Sequence, residues 1–434
     1  MARGHRWRQA FLVVALFTLL AGDAWRYSIS WFGWGVIALL VVIASVVLLV
    51  RQRGSWRVAA LPYPLLAFLL VATASIAWSF YPGASALGVL STLATVAVAV
   101  AIAVTFSWSE ILHGLGLVLR VILGASLLFE LVVSVFVRHA VLPFWVDYGS
   151  GDIPKLLLWS RNELFEVLDG GRIQGIVGNA STLAMIAAIA VVVFGVQLAV
   201  NERRRPVTIG WLAVAGLVLA MTRSATVTLA LVAAAVVLVA ALLVRRASTP
   251  RRRAVTLGGI LVVLVGAVTA CLAFSAQLLA LLGKSDDLTG RLGIWEKVIA
   301  LAQERPVQGW GWVSYWVPWV APFDDLAFRN GVRQLHAHNA WLDLWLQVGI
   351  LGLIVFGALV VSTAVRSWFV AVDRSELAAG VAGRYSALSL LPILLLVLLV
   401  VQSVAESRLL LEYGLTLLVV IAVKTKRSER QELR

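Results

Sequence analysis

Residues 84–106, ASALGVLSTLATVAVAVAIAVTF, decide the fold class of this chain. The stretch is 23 residues long and contains no charged side chain. A helix of about 20 predominantly apolar residues crosses the roughly 30 Å hydrocarbon core of a bilayer. Apolar runs of similar length lie at 31–50, 254–274 and 341–364. The sequence therefore predicts an all-α, polytopic membrane protein.

The composition agrees with this prediction and excludes a soluble globular protein. Of the 434 residues, 61% are hydrophobic and 13% are charged, with a mean hydropathy of +0.95. Soluble domains carry roughly 25% charged residues. The net charge of +14 would suggest nucleic acid in a soluble protein, but here the basic residues lie in short loops between apolar runs. We therefore expect no nucleic-acid partner. With Cys271 as the only cysteine, an intrachain disulfide is excluded.

The apolar runs predict about twelve transmembrane helices within a single membrane domain, residues 1–434. The first run follows Arg3, Arg6 and Arg8 and resembles a signal peptide, but we expect it to be retained as a span. The predicted spans are 9–22, 31–50, 58–78, 84–106, 112–137, 173–200, 207–221, 224–244, 254–274, 341–364, 385–401 and 408–423.

The distribution of lysine and arginine predicts the orientation. With the N-terminus placed inside, the inner segments hold 22 of the 36 lysine and arginine residues, and the four short outer loops hold three. Basic residues favour the cytoplasmic side in short loops. Both termini are therefore expected in the cytoplasm.

Two long outer loops are predicted, at 138–172 and 275–340. Long loops often carry function. The second contains a predicted interfacial helix near 291–305 and, with the start of the next span, seven of the 18 tryptophans. These form either an aromatic belt at the membrane surface or a platform for sugar rings, and both roles are compatible.

Cationic and imidazole side chains gather on the predicted outer face. Arg172, Arg223 and Arg291 come from three separate regions, and His336 and His338 precede the tenth span. A single outer arginine is usually interfacial. Three on one face favour a phosphate clamp, since guanidinium groups bind phosphate through paired hydrogen bonds.

Metal binding is the less favoured alternative for these groups. His336 and His338 would share a zinc ion only in an extended segment, with Asp324, Asp325 or Asp343 as a further ligand. Asp286-Asp287 would suit a divalent ion that holds a diphosphate. Because three arginines make such an ion unnecessary, we expect neither metal nor cofactor. No paired carboxylates of the glycosidase type are evident.

Charges inside the predicted spans also need partners. Arg120 and Glu130 lie in the fifth span, too far apart to pair on one helix. Glu406 and Arg408 lie at the outer end of the last span and are candidate partners or site residues.

Four motifs occur in an order that resembles the O-antigen ligase and polymerase family of bacterial membrane glycosyltransferases, over roughly residues 60–423. In chain order they are Gly171-Arg172-Ile173-Gln174-Gly175 with Gly178-Asn179, Thr222-Arg223-Ser224, Thr289-Gly290-Arg291 with Ile294-Trp295, and His336-Ala337-His338-Asn339 with Gly349-Ile350-Leu351-Gly352.

The resemblance implies a GT-C-like fold and an activity at the outer face of the bacterial cytoplasmic membrane. The donor would be a glycan on a polyprenyl-diphosphate carrier, and the acceptor a hydroxyl group of a glycan, lipid or other envelope molecule. The resemblance implies diphosphate binding by Arg223 and Arg291, with Arg172 as a third, and a general base at His338. Candidate acceptor or sugar contacts are His336, Asn339, Trp295, Trp310, Trp312 and Glu406.

Several questions stay open at the level of sequence. After Arg223 the chain reads Ser224-Ala225, where family members often carry Ser-Arg-Gly. The product is either a ligated glycan or a longer polymer. A transporter or flippase of lipid-linked glycans is the alternative function, supported mainly by Arg120. A scaffold protein would tolerate changes at Arg223, Arg291 and His338.

Overall fold

The computed structural model describes residues 2–54, 56–146, 153–200, 205–273, 285–329, 331–373, 376–377, 381–382 and 385–432. Residues 147–152 of the first long loop fall outside this range, as do residues 275–284 and 330 of the second. The side chains of Asp286 and Asp287 are also outside the described part. Within the described part, the chain forms thirteen α-helices and two short antiparallel strand pairs.

The helices follow the apolar runs because a backbone in lipid must form its hydrogen bonds within its own segment. Their bounds are α1 Ala2–Leu20, α2 Gly22–Arg51, α3 Tyr63–Ala74, α4 Pro82–Thr105, α5 Trp108–Val132, α6 Ala180–Val200, α7 Arg205–Thr222, α8 Ala225–Arg246, α9 Pro250–Ala273, α10 Ser285–Glu304, α11 Ala340–Val372, α12 Leu391–Ser403 and α13 Glu412–Glu432. The strand pairs are β1 Phe328–Arg329 with β2 Val332–Arg333, and β3 Glu376–Leu377 with β4 Val381–Ala382.

The predicted all-α, polytopic fold is confirmed. Seven described helices are long and apolar enough to cross a membrane, namely α2, α4, α5 with its extension to Val137, α6, α7, α8 and α11. Two shorter apolar stretches, Tyr63–Trp78 and Leu388–Ser403, coincide with two further predicted spans. The total of twelve spans stays a prediction.

The centre of the bundle is α6, most of which is buried. It packs against α5 and α7, while α13 packs against α4 and α11 packs against α3. A helix that is apolar on all sides is buried by its neighbours. Arg120 of α5 donates to Gln197 of α6 over 2.8 Å, and its guanidinium lies 4.8 Å from the Phe194 ring centre. These contacts give Arg120 a structural role between two helices.

The sixth helix begins at Ala180, seven residues later than predicted, because Gly175 and Gly178 before it have left-handed φ values of 58° and 61°, and Glu130 holds this segment in place. Glu130 is buried, and its carboxylate accepts the backbone N–H groups of Gln174 and Gly175 over 2.8 and 2.7 Å. It also accepts the hydroxyl of Ser160 over 2.7 Å. Arg172 therefore lies in a loop anchored by α5 rather than at the start of a span.

The eleventh helix is broken at Gly349, and the break receives the chain that follows α10. Gly349 has a φ of 64°, and a Cβ atom there would lie 2.1 Å from the carbonyl oxygen of Val307. Such an approach excludes any residue with a side chain. The amide of Ile350 donates to Pro306, and the amide of Trp310 donates to Leu346, each over 2.9 Å. The Gly349-Ile350-Leu351-Gly352 motif thus fixes the second long loop against α11.

Candidate active site

The backbone around His338 is fixed by the start of α11. Asn339 caps this helix, as considered from the sequence, with its side-chain oxygen accepting the amides of Trp341 and Leu342 over 3.0 and 3.3 Å. His338 itself has a left-handed φ of 51°. Positive φ is uncommon for a residue other than glycine and concentrates at functional sites. The turn therefore holds the His338 ring at a defined point just before the helix.

Ala337, between the two histidines, is held by hydrogen bonds at both its backbone N–H and its carbonyl. Its amide donates to Asp343 over 3.0 Å, and its carbonyl accepts the indole N–H of Trp295 over 3.0 Å. Asp343 also accepts the hydroxyl of Ser407. The motif at 336–339 is thereby tied to α10, to α11 and to the segment after α12.

The imidazole of His338 has an oxygen partner at each ring nitrogen. Its Nδ1 lies 3.0 Å from Oε2 of Glu406, and its Nε2 lies 2.9 Å from Oε1 of Gln334. The second carboxylate oxygen of Glu406 accepts from Arg291 over 3.1 Å. The side chains of His338, Glu406 and Arg291 are 14%, 13% and 17% exposed. Three distant chain regions thus meet in one partly buried cluster.

The charge of Glu406 fixes the proton on His338. Burial by itself would raise the pKa of the Glu406 carboxyl, but His338, His336 and Arg291 together hold that pKa well below its usual range. Glu406 is therefore ionised and can only accept hydrogen bonds. The Nδ1 atom of His338 must carry the proton that Glu406 accepts, and Nε2 is the ring atom left for proton exchange.

His336 has a different environment from His338. Burial lowers the pKa of His336 well below its ordinary value, and neighbouring His338 lowers it further. The Nδ1 atom of His336 accepts the backbone N–H of His338 over 3.1 Å, so this nitrogen carries no proton. Because Glu406 contacts the His338 ring directly, the geometry favours His338 over His336 as the base.

Arg172 and Arg223 form a second group. The side chain of Arg172 donates from Nε to the carbonyl of Thr222 over 2.9 Å, and its backbone N–H donates to Glu163 over 3.0 Å. Arg223 has a φ of 49° and donates to the carbonyl of Val167 over 2.9 Å. The loop before α6 and the turn between α7 and α8 therefore meet here. The convergence of these two arginines with Arg291 on one diphosphate stays a prediction.

The three tryptophans named from the sequence differ in exposure. Trp312 is fully buried, and its ring packs edge-on against Phe68, with centroids 5.3 Å apart. This position gives Trp312 a place in the helix core. Trp295 and Trp310 are partly exposed, and sugar stacking at these two remains a prediction.

Sequence reasoning missed Gln334 and a buried ion network beside the site. Arg408 donates to Glu412 over 2.5 Å and to the hydroxyl of Tyr315 over 2.6 Å, and Glu412 also pairs with Arg26. The Tyr315 ring centre lies 6.3 Å from that of His336. The sequence signalled only Glu406 and Arg408, as charges at the outer end of the last span; Gln334 carries no charge and was not singled out.

One group in the described part can offer three metal ligands. One ligand atom each from His336, His338 and Glu406 lies within 4.8 Å of the others. In the structure the His338 ring contacts Glu406 and Gln334, and His336 accepts the backbone N–H of His338. Arg291 adds a positive charge at the carboxylate of Glu406. Asp324, Asp325 and Asp343, which the sequence suggested as further zinc ligands, are not part of this group.

Part of the chain is similar to a known protein family. Residues 208–357 match the family model described as O-antigen ligase, a range that contains Arg223, Arg291 and His338. No curated protein matches the chain. With the apolar helices, this match indicates a multi-pass protein of the bacterial inner membrane that takes part in glycan transfer. The match over residues 208–357 confirms the family resemblance predicted from the motifs.

Proposed function

We propose that this protein is an inverting, metal-independent glycosyltransferase. It moves a glycan from a polyprenyl-diphosphate carrier to a hydroxyl acceptor at the outer face of the inner membrane. The observation that carries the proposal is the His338–Glu406 pair, held at 3.0 Å beside Arg291. A histidine oriented by an ionised carboxylate is an arrangement suited to a general base.

The base acts through Nε2 of His338. Glu406 holds the proton on Nδ1, which leaves the Nε2 lone pair to accept the proton of the acceptor hydroxyl. As that proton arrives, the imidazole becomes positively charged. The ionised Glu406 then stabilises the imidazolium, so the carboxylate favours the transition state over the ground state.

Arginines would stabilise the leaving diphosphate. The side chain of Arg291 is 17% exposed and pairs with Glu406 through Nη2, so its guanidinium lies beside the proposed base, where it would face a phosphate oxygen of the donor. Arg172 and Arg223 supply two further guanidinium groups near the turn after α7. Donors aimed at developing negative charge lower the barrier most in a poorly hydrated site.

The reaction is a single displacement. The acceptor oxygen attacks the anomeric carbon, the bond from that carbon to the diphosphate oxygen breaks, and the diphosphate leaves with the electron pair. The hydroxyl proton passes to His338. Because attack and departure occur on opposite faces, the anomeric configuration inverts.

Reconstitution tests this function. Purified protein in nanodiscs receives a polyprenyl-diphosphate glycan and a hydroxyl acceptor, and mass spectrometry follows both lipid and glycan. A transferase releases polyprenyl diphosphate and yields a glycosylated acceptor. A transporter or flippase, placed in liposomes, moves the donor across the membrane intact. Donor that is translocated but never cleaved would exclude the proposed reaction.

A further inference from the structure

A surface cavity lies at the junction where α8 ends and α9 begins. Its volume is about 550 Å³, and both helices and the short connection between them line it. Sites for small molecules usually have volumes of roughly 300–1,000 Å³. The end of α8 contributes Leu243 and Arg246, and the start of α9 contributes Arg251, Arg252 and Val255. The cavity is therefore large enough to hold a small polar group.

The cavity is strongly positive. Three arginines line it, and no carboxylate of the described part of the chain does so. Within that same part, Arg246, Arg251 and Arg252 form no ion pair. Arg251 and Arg252 also lie in the first turn of α9, where the helix dipole disfavours a positive charge. An anion in the cavity would neutralise the arginines and the end of the helix together.

Two neighbouring arginines bind the protein itself instead. Arg245 donates to the carbonyl of Ala371 over 2.7 Å and to the hydroxyl of Ser389 over 2.8 Å. Arg253 forms an ion pair with Asp373. These bonds fix the junction against the end of α11 and the segment before α12. Of the five arginines at the junction, two therefore hold the backbone in place, and the other three line the cavity.

The lining becomes apolar towards the two helices. Leu243 and Val255 are 44% and 69% exposed, and each lies about one turn further into its helix than the nearest cavity arginine. Exposed apolar side chains in a membrane span contact the acyl chains of lipids. A phospholipid has the same order of groups, with a phosphate at the surface and acyl chains below it. Free phosphate would use the arginines alone, so the apolar part of the lining favours a lipid.

We propose that this cavity binds the headgroup of an anionic phospholipid of the inner leaflet. The predicted orientation puts the junction at the cytoplasmic surface, where anionic lipids attract basic segments. The three arginines bind the phosphate through charge-assisted hydrogen bonds, and the acyl chains lie along the apolar side. The bound lipid holds the start of α9 against the end of α8. The inference does not depend on the glycosyltransferase function, because Arg223 lies at the other end of α8.

Native mass spectrometry of the full chain in detergent tests the site by titration with short-chain phosphatidylglycerol. The double variant Arg251→Gln, Arg252→Gln is compared with the wild type and with Arg53→Gln, Arg57→Gln, which removes two exposed arginines from the loop after α2. Each arginine near an anionic lipid contributes about fivefold in affinity, so the cavity variant should bind about 25-fold more weakly. The control should bind like the wild type. Equal affinities in the two double variants would overturn the proposal.

Two further ligands distinguish a lipid site from a general anion site. Phosphatidylcholine of the same chain length should bind the wild type more weakly than phosphatidylglycerol does, because its ammonium group is repelled by the arginines. Equal binding of the two lipids would contradict an anionic headgroup. Inorganic phosphate at the same concentration should not displace phosphatidylglycerol, because it lacks acyl chains. Displacement by phosphate would overturn the assignment to a lipid.

Photocrosslinking locates the lipid without any substitution. Phosphatidylglycerol with a diazirine in its headgroup is placed in nanodiscs with the wild-type protein, and peptide mass spectrometry identifies the labelled segments. Residues 243–256 should be labelled more than residues 51–57. Arg246→Gln, a single change at an exposed position, should lower the labelling of 243–256 about fivefold. Labelling of 243–256 no higher than that of 51–57 would overturn the proposal.

Discussion

His338 and Glu406 lie 68 positions apart in the sequence, yet Nδ1 of one and Oε2 of the other are 3.0 Å apart. The histidine precedes α11 and the glutamate follows α12, so two helices must pack correctly before the pair forms. The pair also lies partly outside the family match, which ends at residue 357. The matched domain therefore depends on the C-terminal part of the chain for the partner of its histidine.

Replacing Glu406 tests the function of this pair. Glu406→Gln keeps the size of the side chain but removes the charge that stabilises the His338 imidazolium. A hydrogen bond to a charged group contributes about 1.5–3 kcal/mol, so kcat should fall roughly 10- to 150-fold. The KM for the donor should change little if Glu406 acts through His338. Glu296→Gln, on the exposed face of α10, is the matched control. A loss seen only in KM would contradict the assignment.

His338→Ala should reduce turnover about 10²–10⁴-fold, the range for loss of a positioned base. Donor binding should persist because the arginines remain. His336→Ala should reduce turnover less, since its ring does not contact Glu406 through a hydrogen bond in the described structure. His113→Ala on the exposed face of α5 is the control. Turnover near the wild-type rate in His338→Ala would remove His338 as the base.

Apolar runs, which are patterns among neighbouring residues, predicted most of the helices of the fold. The uncharged run at 84–106 could become α4 because its residues satisfy their backbone bonds without help from elsewhere. The start of α6 could not be predicted in this way. Glu130, on α5, accepts the amides of Gln174 and Gly175, and this long-range contact holds the left-handed turns at Gly175 and Gly178 that precede the helix.

The site was predictable only where a motif signalled it. His338 and Arg291 carry the family pattern, and Glu406 stood out as a charge at a span end. Gln334 is a neutral residue whose importance depends on the turn of the hairpin and on the left-handed backbone of His338. The sequence does signal the hairpin, because Asn330-Gly331 between the two strands is typical of a two-residue turn. The left-handed backbone of His338 has no such signature. The second arginine group likewise depends on how the loop at Arg172 folds over Thr222.

Arginine-to-lysine changes test whether Arg223 and Arg291 bind one diphosphate. Each single change should lower kcat/KM for the donor roughly tenfold or more, because lysine lacks the planar fork of two donors. If both contact the same diphosphate, the double variant should lose less than the product of the single losses. Arg53→Lys, at an exposed position after α2, is the control. Independent, multiplicative losses would argue against a shared ligand.

The protonation of His336 predicts how stability depends on pH. Burial lowers the pKa of His336 well below its ordinary value near 6.5, so the folded state keeps this ring neutral while the unfolded chain protonates it. Stability from this group is therefore complete above about pH 6.5 and falls on acidification, by at most about 1.4 kcal/mol per pH unit. The apparent Tm should drop between pH 7 and pH 5. His336→Gln should show a smaller drop over the same range, and an equal drop would contradict the assignment.

Glu130 should act on the site through the loop that carries Arg172. Glu130→Gln replaces one acceptor oxygen with an NH2 group that faces backbone N–H donors or the Ser160 hydroxyl. Because Glu130 is buried, the free energy of unfolding should fall by about 1–3 kcal/mol. Glu166→Gln, in the same loop but exposed, should leave the apparent Tm unchanged. Activity distinguishes positioning from general stability: with Arg172→Lys already present, Glu130→Gln should reduce kcat/KM less than it does alone. If the two losses multiply, Glu130 stabilises the fold without positioning Arg172.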